Sequence, residues 1–216
     1  MSDLAPESEL SPPAAALVAD AIPRKRPKPG ERRVQILQAL ATMLEQPGAE
    51  RVTTAALAAR LDVSEAALYR HFASKAQMFE GLIEFIEQSI FTLVNQITER
   101  ESDLNTRTRK LVQMVLQFAE KNPGMTRVMV GDALVFENER LQQRMNQLFD
   151  KLESSLKQTL REEGTAHGAA APTADAQVQA SVLVAFIAGR LQRFARSGFR
   201  RLPSEHLDAS LRILLA

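Results

Sequence analysis

The 216-residue sequence has no cysteine and no tryptophan, a single tyrosine and three histidines. Without cysteine there can be no disulfide, thiolate zinc site or cysteine nucleophile. That composition fits a reducing compartment. The histidines, His71, His167 and His206, are scattered, and no His-Glu-x-x-His spacing suggests a metal. A phosphate loop, a Gly-x-Ser-x-Gly elbow and a clustered dinucleotide glycine motif are also missing. Neither an enzyme, a cofactor nor a metal site is expected. The longest apolar run, Val182 to Gly189, is far too short to span a bilayer. The N-terminus lacks the basic flank of a secretory signal. No stretch alternates polar and apolar residues as a strand would.

What the chain does have is an uneven charge. The net charge is only +1. Residues 1–20 hold Asp3, Glu7, Glu9 and Asp20 and no base, whereas residues 21–75 hold ten Lys/Arg against five Asp/Glu. The remaining two thirds is neutral. A basic third beside a neutral body suggests a local polyanion site.

Residues 1–23, rich in proline and alanine, read as a disordered tail. Arg24-Lys25-Arg26-Pro27-Lys28-Pro29 is a basic arm whose prolines forbid helix. From Glu31, Val34, Leu37, Ala41 and Leu44 recur at helical spacing until Pro47-Gly48. Thr53 caps a short helix, Thr54 to Arg60, which buries Ala55, Leu57 and Ala58. After a break at Asp62-Val63, Ser64 caps a helix from Glu65 to His71. Ser74, with Gln77 three residues on, opens a helix reaching about Arg100, on which Phe79, Leu82, Ile83, Ile86, Ile90, Leu93, Val94 and Ile97 are expected to form a broad core stripe. Further helices are expected at 103–121, 123–129, 132–163, 173–196 and 203–215, with a loop from Gly164 to Pro172. Asn122 is expected to cap the helix begun by Pro123. The fold class is therefore all-α, with about nine helices. The divisions are a tail at 1–23, a basic arm and helix-turn-helix at 24–73, and a larger helical domain at 74–216.

Two short helices joined by a tight turn make a helix-turn-helix, whose second helix enters the major groove N-terminus first. Leu57, Leu61, Val63 and Leu68 supply its core. Glu65, Ala66, Ala67, Tyr69 and Arg70 are left to face outward. Ala66 and Ala67 allow close approach and can touch a thymine methyl; Arg70 can take a guanine or a phosphate. Ser64, Tyr69 and His71 complete the set, and Thr53 and Thr54 open the first helix of the motif where free N–H groups favour phosphate. Arg32 and the arm reach the adjacent groove or backbone. Lys75 stands at a helix start, where the dipole disfavours a cation by about 0.3–1 kcal/mol; a phosphate bound there would account for it.

The pattern of an opening Thr53, Ala58, Val63-Ser64, Leu68-Tyr69-Arg70-His71-Phe72 and Ser74-Lys75 resembles the TetR family of regulators. The resemblance implies a three-helix DNA-binding domain joined to a larger helical domain that dimerises and often holds a small-molecule ligand. Segments beyond the motif (Leu82-Ile83-Glu84-Phe85-Ile86-Glu87, Glu120 to Arg127, and Leu141 to Phe149) resemble the nucleoid occlusion branch of that family. This implies a cytoplasmic, nucleoid-associated protein that binds dispersed palindromes and antagonises the tubulin-like division protein FtsZ. The same resemblance makes Phe85, Lys121 and Asn122 candidates for the FtsZ contact. Leu93 and Lys121 stand where that branch leads one to expect basic and arginine residues, respectively.

The helix near 173–196 is apolar almost all round, so it should be buried on more than one side. Ser181, Ala185, Ala188 and Gly189 are small enough for a second copy's helix to approach. The last helix, with Leu207, Leu211, Leu214 and Leu215, is expected to complete a four-helix interface. A twofold dimer suits a palindromic site. No membrane partner is expected. A ligand-responsive repressor of the same fold is the alternative.

Overall fold

The computed structural model describes residues 30–46 and 52–215. The tail, the arm up to Pro29 and the Pro47-Gly48 stop lie outside the described residues. Among those described there are nine α-helices and no strand. They are α1 (Glu31–Leu44), α2 (Thr54–Arg60), α3 (Glu65–Tyr69), α4 (Lys75–Arg100), α5 (Leu104–Lys121), α6 (Pro123–Met129), α7 (Glu139–Ala166), α8 (Pro172–Arg196) and α9 (Leu207–Leu214).

Helices α1 to α3 form a small head. Ile36, Leu40 and Leu44 make the buried stripe of α1, and Val34 is exposed rather than part of it. Leu57 and Ala58 of α2 are buried with Leu68 and Phe72, while Ala55 is exposed. On α2 only Leu57 and Ala58 turn inward, and Ala55 falls off that face.

The body is held by long helices whose directions follow from their ion pairs. Lys75 pairs with Glu137, Glu80 with Arg140, and Glu87 with both Arg144 and Lys151. Low numbers therefore meet low numbers, and α7 runs alongside α4 in the same direction. At the opposite end Arg107 pairs with Glu162 and Asn105 bonds Glu163. Helices α7 and α8 form a hairpin with the most extensive packing in the molecule. The foot of α8 thus returns to the end where α4 begins.

Four expected boundaries shift. No single helix spans 132–163: a 3-10 turn covers Asp132–Leu134, and α7 starts only after Asn138, whose side chain caps Arg140. Residues 135–138 form the break, and Gly131, at φ +84, leads into the 3-10 turn. Helix α7 then continues through Gly164, so the expected loop shrinks. Helix α9 begins at Leu207, because His206 adopts a left-handed φ of +58 immediately before it. The end of α3 also comes early, at Tyr69, where His71 donates to the Leu68 carbonyl in a tightened last turn.

Head and body meet most closely at α1 and α6. A Cβ on Gly124 would fall on the backbone carbonyl of Ala41, so only glycine permits this approach. Arg33 adds a strut within the head: its guanidinium stacks 4.1 Å from the Phe72 ring centroid and donates to the His71 carbonyl.

Candidate nucleic-acid interface and partner faces

Each helix of the reading motif begins on a hydroxyl that accepts a backbone N–H. Thr53 accepts from Ala56, Ser64 from Ala67 and Ser74 from Gln77, at 3.1–3.2 Å. Each such cap contributes about 1 kcal/mol. Gln77 reaches back to the N–H of Ala73, one residue short of the usual capping-box target. Helix α2 ends in a Schellman turn: Val63 N–H bonds the Ala58 carbonyl and Asp62 N–H the Ala59 carbonyl, with Asp62 left-handed at φ +53. This fixes the angle between α2 and α3.

The outer face of α3 is open. Ser64, Glu65, Ala66, Tyr69 and Arg70 are exposed, Ala67 and His71 half-buried, and Leu68 points into the core. Tyr69 is 45% exposed. Thr54 donates its hydroxyl to the Glu65 carboxylate at 2.6 Å, joining the starts of α2 and α3. Arg32 is half-buried near the start of α1. Lys75 has a protein partner: its ammonium lies 2.5 Å from Glu137 and 5.7 Å from the Phe79 ring centroid. The carboxylate offsets the unfavourable dipole position, and no phosphate is needed to account for it.

On the body, Phe85 and Leu93 stand exposed two turns apart on α4, at 43% and 37%. Leu93 was expected in the core; the buried stripe instead runs through Ile86, Ile90 and Val94. Helices α4 and α5 form an antiparallel hairpin. At 1.5 Å rise per residue, Phe85, fifteen residues before the end of α4, is level with the last turn of α5, where Lys121 is exposed. Asn122 stands at the N-cap of α6, as expected, and its backbone carbonyl accepts from Thr126 N–H, but its side chain makes no cap bond there. Its amide donates to the Phe118 carbonyl at 2.7 Å and closes α5 instead. Met114 and Phe118 lie half-buried between these positions. Their helical spacing on α5 was the signal available in the sequence.

Helix α8 is two-sided. Ala180, Leu183, Ile187 and Leu191 are buried, while Val178, Ser181, Val182, Ala185 and Gly189 form an exposed stripe. Ala188 is half-buried at its edge, and no atom lies within 4 Å of where a Gly189 Cβ would stand. Leu207 and Leu211 turn into the protomer's own core rather than outward, and α9 exposes Ile213 instead. An open groove of about 730 Å³ runs beside this stripe, reaching Ser181, Ala185 and Ala188 from Phe149 and Asn146 on α7.

Residues 36–82 match the model of bacterial regulatory proteins of the tetR family, and residues 102–216 match that of the tetracyclin repressor-like C-terminal domain. The nucleoid occlusion factor SlmA of Photobacterium profundum is 52% identical over 190 residues, covering 88% of this chain and 96% of that protein. SlmA of Vibrio cholerae is 52% identical over 186 residues, covering 86% and 94%. The chain belongs to the SlmA family. It is thus a TetR-type DNA-binding regulator. The TetR fold itself extends to remote neighbours. The fatty acid degradation regulator FadR of Bacillus halodurans superposes with a TM-score of 0.71 at 16% identity, over 88% of this chain and 97% of that one. Among the described residues no helix is long and apolar enough to cross a membrane, and no group of three or more side chains is placed to hold a metal.

Proposed function

We propose that this SlmA-family member is a nucleoid occlusion factor. A homodimer formed along the exposed stripe of α8 places two copies of α3 in successive major grooves of a palindrome. While bound to such sites across the chromosome, in the cytoplasm, it antagonises FtsZ assembly and so prevents division over the nucleoid. Ser64, Glu65, Ala66, Ala67, Tyr69 and Arg70 read or approach the bases. Arg32, Thr53, Thr54 and His71 serve the backbone, and Lys75 is left to its ion pair. FtsZ docks on the strip begun by Phe85 and Leu93 and ended by Lys121 and Asn122.

The observation that carries this reading is the reach of the SlmA likeness: 52% identity over 190 residues, a span that takes in both head and body. A shared reading motif alone would fit any regulator of this fold. A ligand-responsive repressor would use the groove beside α8, but that groove opens onto the very stripe the dimer would cover.

The test is FtsZ polymer disassembly on specific DNA with Phe85→Ala and Lys121→Ala. Both side chains are exposed, so DNA affinity should be unchanged and the antagonism lost. Polymers that still disassemble would remove FtsZ from this face. A chromosome-wide binding map separates the two functions: many dispersed palindromes, sparse near the replication terminus, support division control, and one or two promoter sites support a repressor.

A further inference from the structure

Five arginines fall within residues 190–201: Arg190, Arg193, Arg196, Arg200 and Arg201. All but Arg190 are exposed, and among the described residues none of the five has a carboxylate partner. Arg190 is spent on the Ser210 hydroxyl and the Phe186 ring, and Arg200 on the Ser197 carbonyl. The guanidinium groups of Arg193 and Arg201 have no protein partner among the described residues. With Arg190 they line a cavity of about 310 Å³ whose single acid, Glu205, faces His206 at 3.7 Å.

The dipole of α8 accounts for part of this. Cations are favoured in a last helical turn, which covers Arg193 and Arg196. Arg200 and Arg201 lie beyond the helix end, where that benefit has faded. A second observation concerns the same corner. Arg127 of α6 holds its guanidinium 5.3 Å from the Phe199 ring centroid, and its Nε is buried without a partner. Phe199 takes a left-handed φ of +62 and meets Phe194 edge-to-face at 5.1 Å. Such a backbone is strained for a residue with a side chain. It keeps a cation in place rather than neutralising one.

The position of the cluster decides its partner. Helix α8 descends antiparallel to α7, which starts beside the first turn of α4. The Glu120 carboxylate accepts from Ser204 N–H at 2.8 Å, and α6 is pressed against α1 at Gly124. The arginines therefore sit at the end of the body that carries the head.

We infer that the foot of α8, through Arg193 and Arg201, is a second DNA-backbone contact, made by the body to phosphates of the duplex that the heads hold. Guanidinium suits phosphate and carboxylate alike, so an acidic peptide could also sit there. The acidic stretch of residues 1–20 is one such peptide. Placement at the head end favours the duplex. The screening length is about 8 Å at physiological salt, so the contact adds to affinity without adding sequence preference.

This inference rests on the reading that the heads bind DNA, and the experiment keeps the two apart. Operator and random duplexes are titrated over a range of salt with the full-length Arg193→Ala/Arg201→Ala variant. Neither side chain has a bonded partner to lose, so the dimer should persist and the thermal midpoint should fall only slightly, by the dipole benefit lost at Arg193. The slope of log K against log salt should become shallower by about 1.8 per subunit, from about 0.9 per phosphate contact, with the operator-to-random ratio preserved. An unchanged slope overturns the proposal. So does an effect that vanishes when the tail is neutralised in the full chain (D3N/E7Q/E9Q/D20N), for then the arginines answer the tail. Tyr69→Ala, by contrast, should abolish the operator preference; if it does not, the reading of the head itself fails, whatever the arginines do.

Discussion

The reading helix α3 has 5 residues and the central body helix α8 has 25, and each offers a face to solvent. On α3 that face is short and polar, with alanines where the backbone must come close. On α8 it is an aliphatic stripe with small residues. The two faces are held by different means. Helix α3 is fixed by neighbours in sequence: a serine cap at one end, a Schellman turn before it, and one buried leucine. Helix α8 is fixed by residues far along the chain, in α7, α5 and α6. A face made by local rules can lie open to DNA in a single chain. The open stripe of α8 is the face that we propose a second chain covers.

The contrast presumes that the head is carried rigidly on the body, and Gly124 is where that is most easily broken. Gly124→Ala puts a methyl onto the Ala41 carbonyl, and backbone on both sides must move. Overpacking of this kind costs about 3 kcal/mol or more when nothing flexible can yield. The urea midpoint should fall accordingly. A variant as stable as the parent would mean that α1 and α6 can separate freely.

Next in size is Val182→Asp, which attacks the α8 stripe. Val182 is 44% exposed in the single chain, so the protomer should keep its fold. In a twofold dimer two carboxylates would be desolvated near one another. A rise of at least about 100-fold in the dimer dissociation constant is expected, about 2.7 kcal/mol, measured by sedimentation equilibrium. Operator affinity should fall with it. A dimer that survives places the interface on another face.

How far the sequence disclosed each region follows the same division. The caps at Thr53, Ser64 and Ser74 were legible because each is a residue and its own next few neighbours. The positions of Leu93 and Leu207 were not. Helical periodicity says that a stripe is apolar, but only the partner helix decides which edge it covers. Leu93 fell outside the covered edge and Leu207 inside it. Lys75 shows the same limit: its carboxylate, Glu137, is 62 residues away and belongs to a stretch where one unbroken helix was expected. The 3-10 turn and the loop before Asn138 are what bring it there.

A smaller effect sharpens the role of local rules in the head. Thr53→Ala removes both the cap to Ala56 and a candidate phosphate contact, whereas Thr53→Ser keeps the hydroxyl and removes only a methyl. Loss of the cap should cost about 1 kcal/mol, read from the denaturation midpoint. Operator affinity should fall in Thr53→Ala and be retained in Thr53→Ser. If serine is no better than alanine, the methyl packing of Thr53 matters and its hydroxyl does not.

The smallest expected effect tests the long-range side, in the ion pairs that align α4 with α7. Burial pushes the Glu87 carboxyl upward, but hydrogen bonds and charges from Lys151 and Arg144 together outweigh it and hold it below its ordinary value. A carboxylate lowered in the folded state contributes stability above its unfolded pKa of about 4.3. That contribution is lost as pH falls through the lowered folded value. Glu87→Gln should therefore be less stable than the parent near neutrality, and the two should converge in acid, where the parent's carboxylate is protonated. Urea midpoints measured from pH 7 downward give the comparison. Parallel curves across that range would mean that the Glu87 pairs add nothing beyond what water gives them, and that apolar packing alone sets the direction of α7.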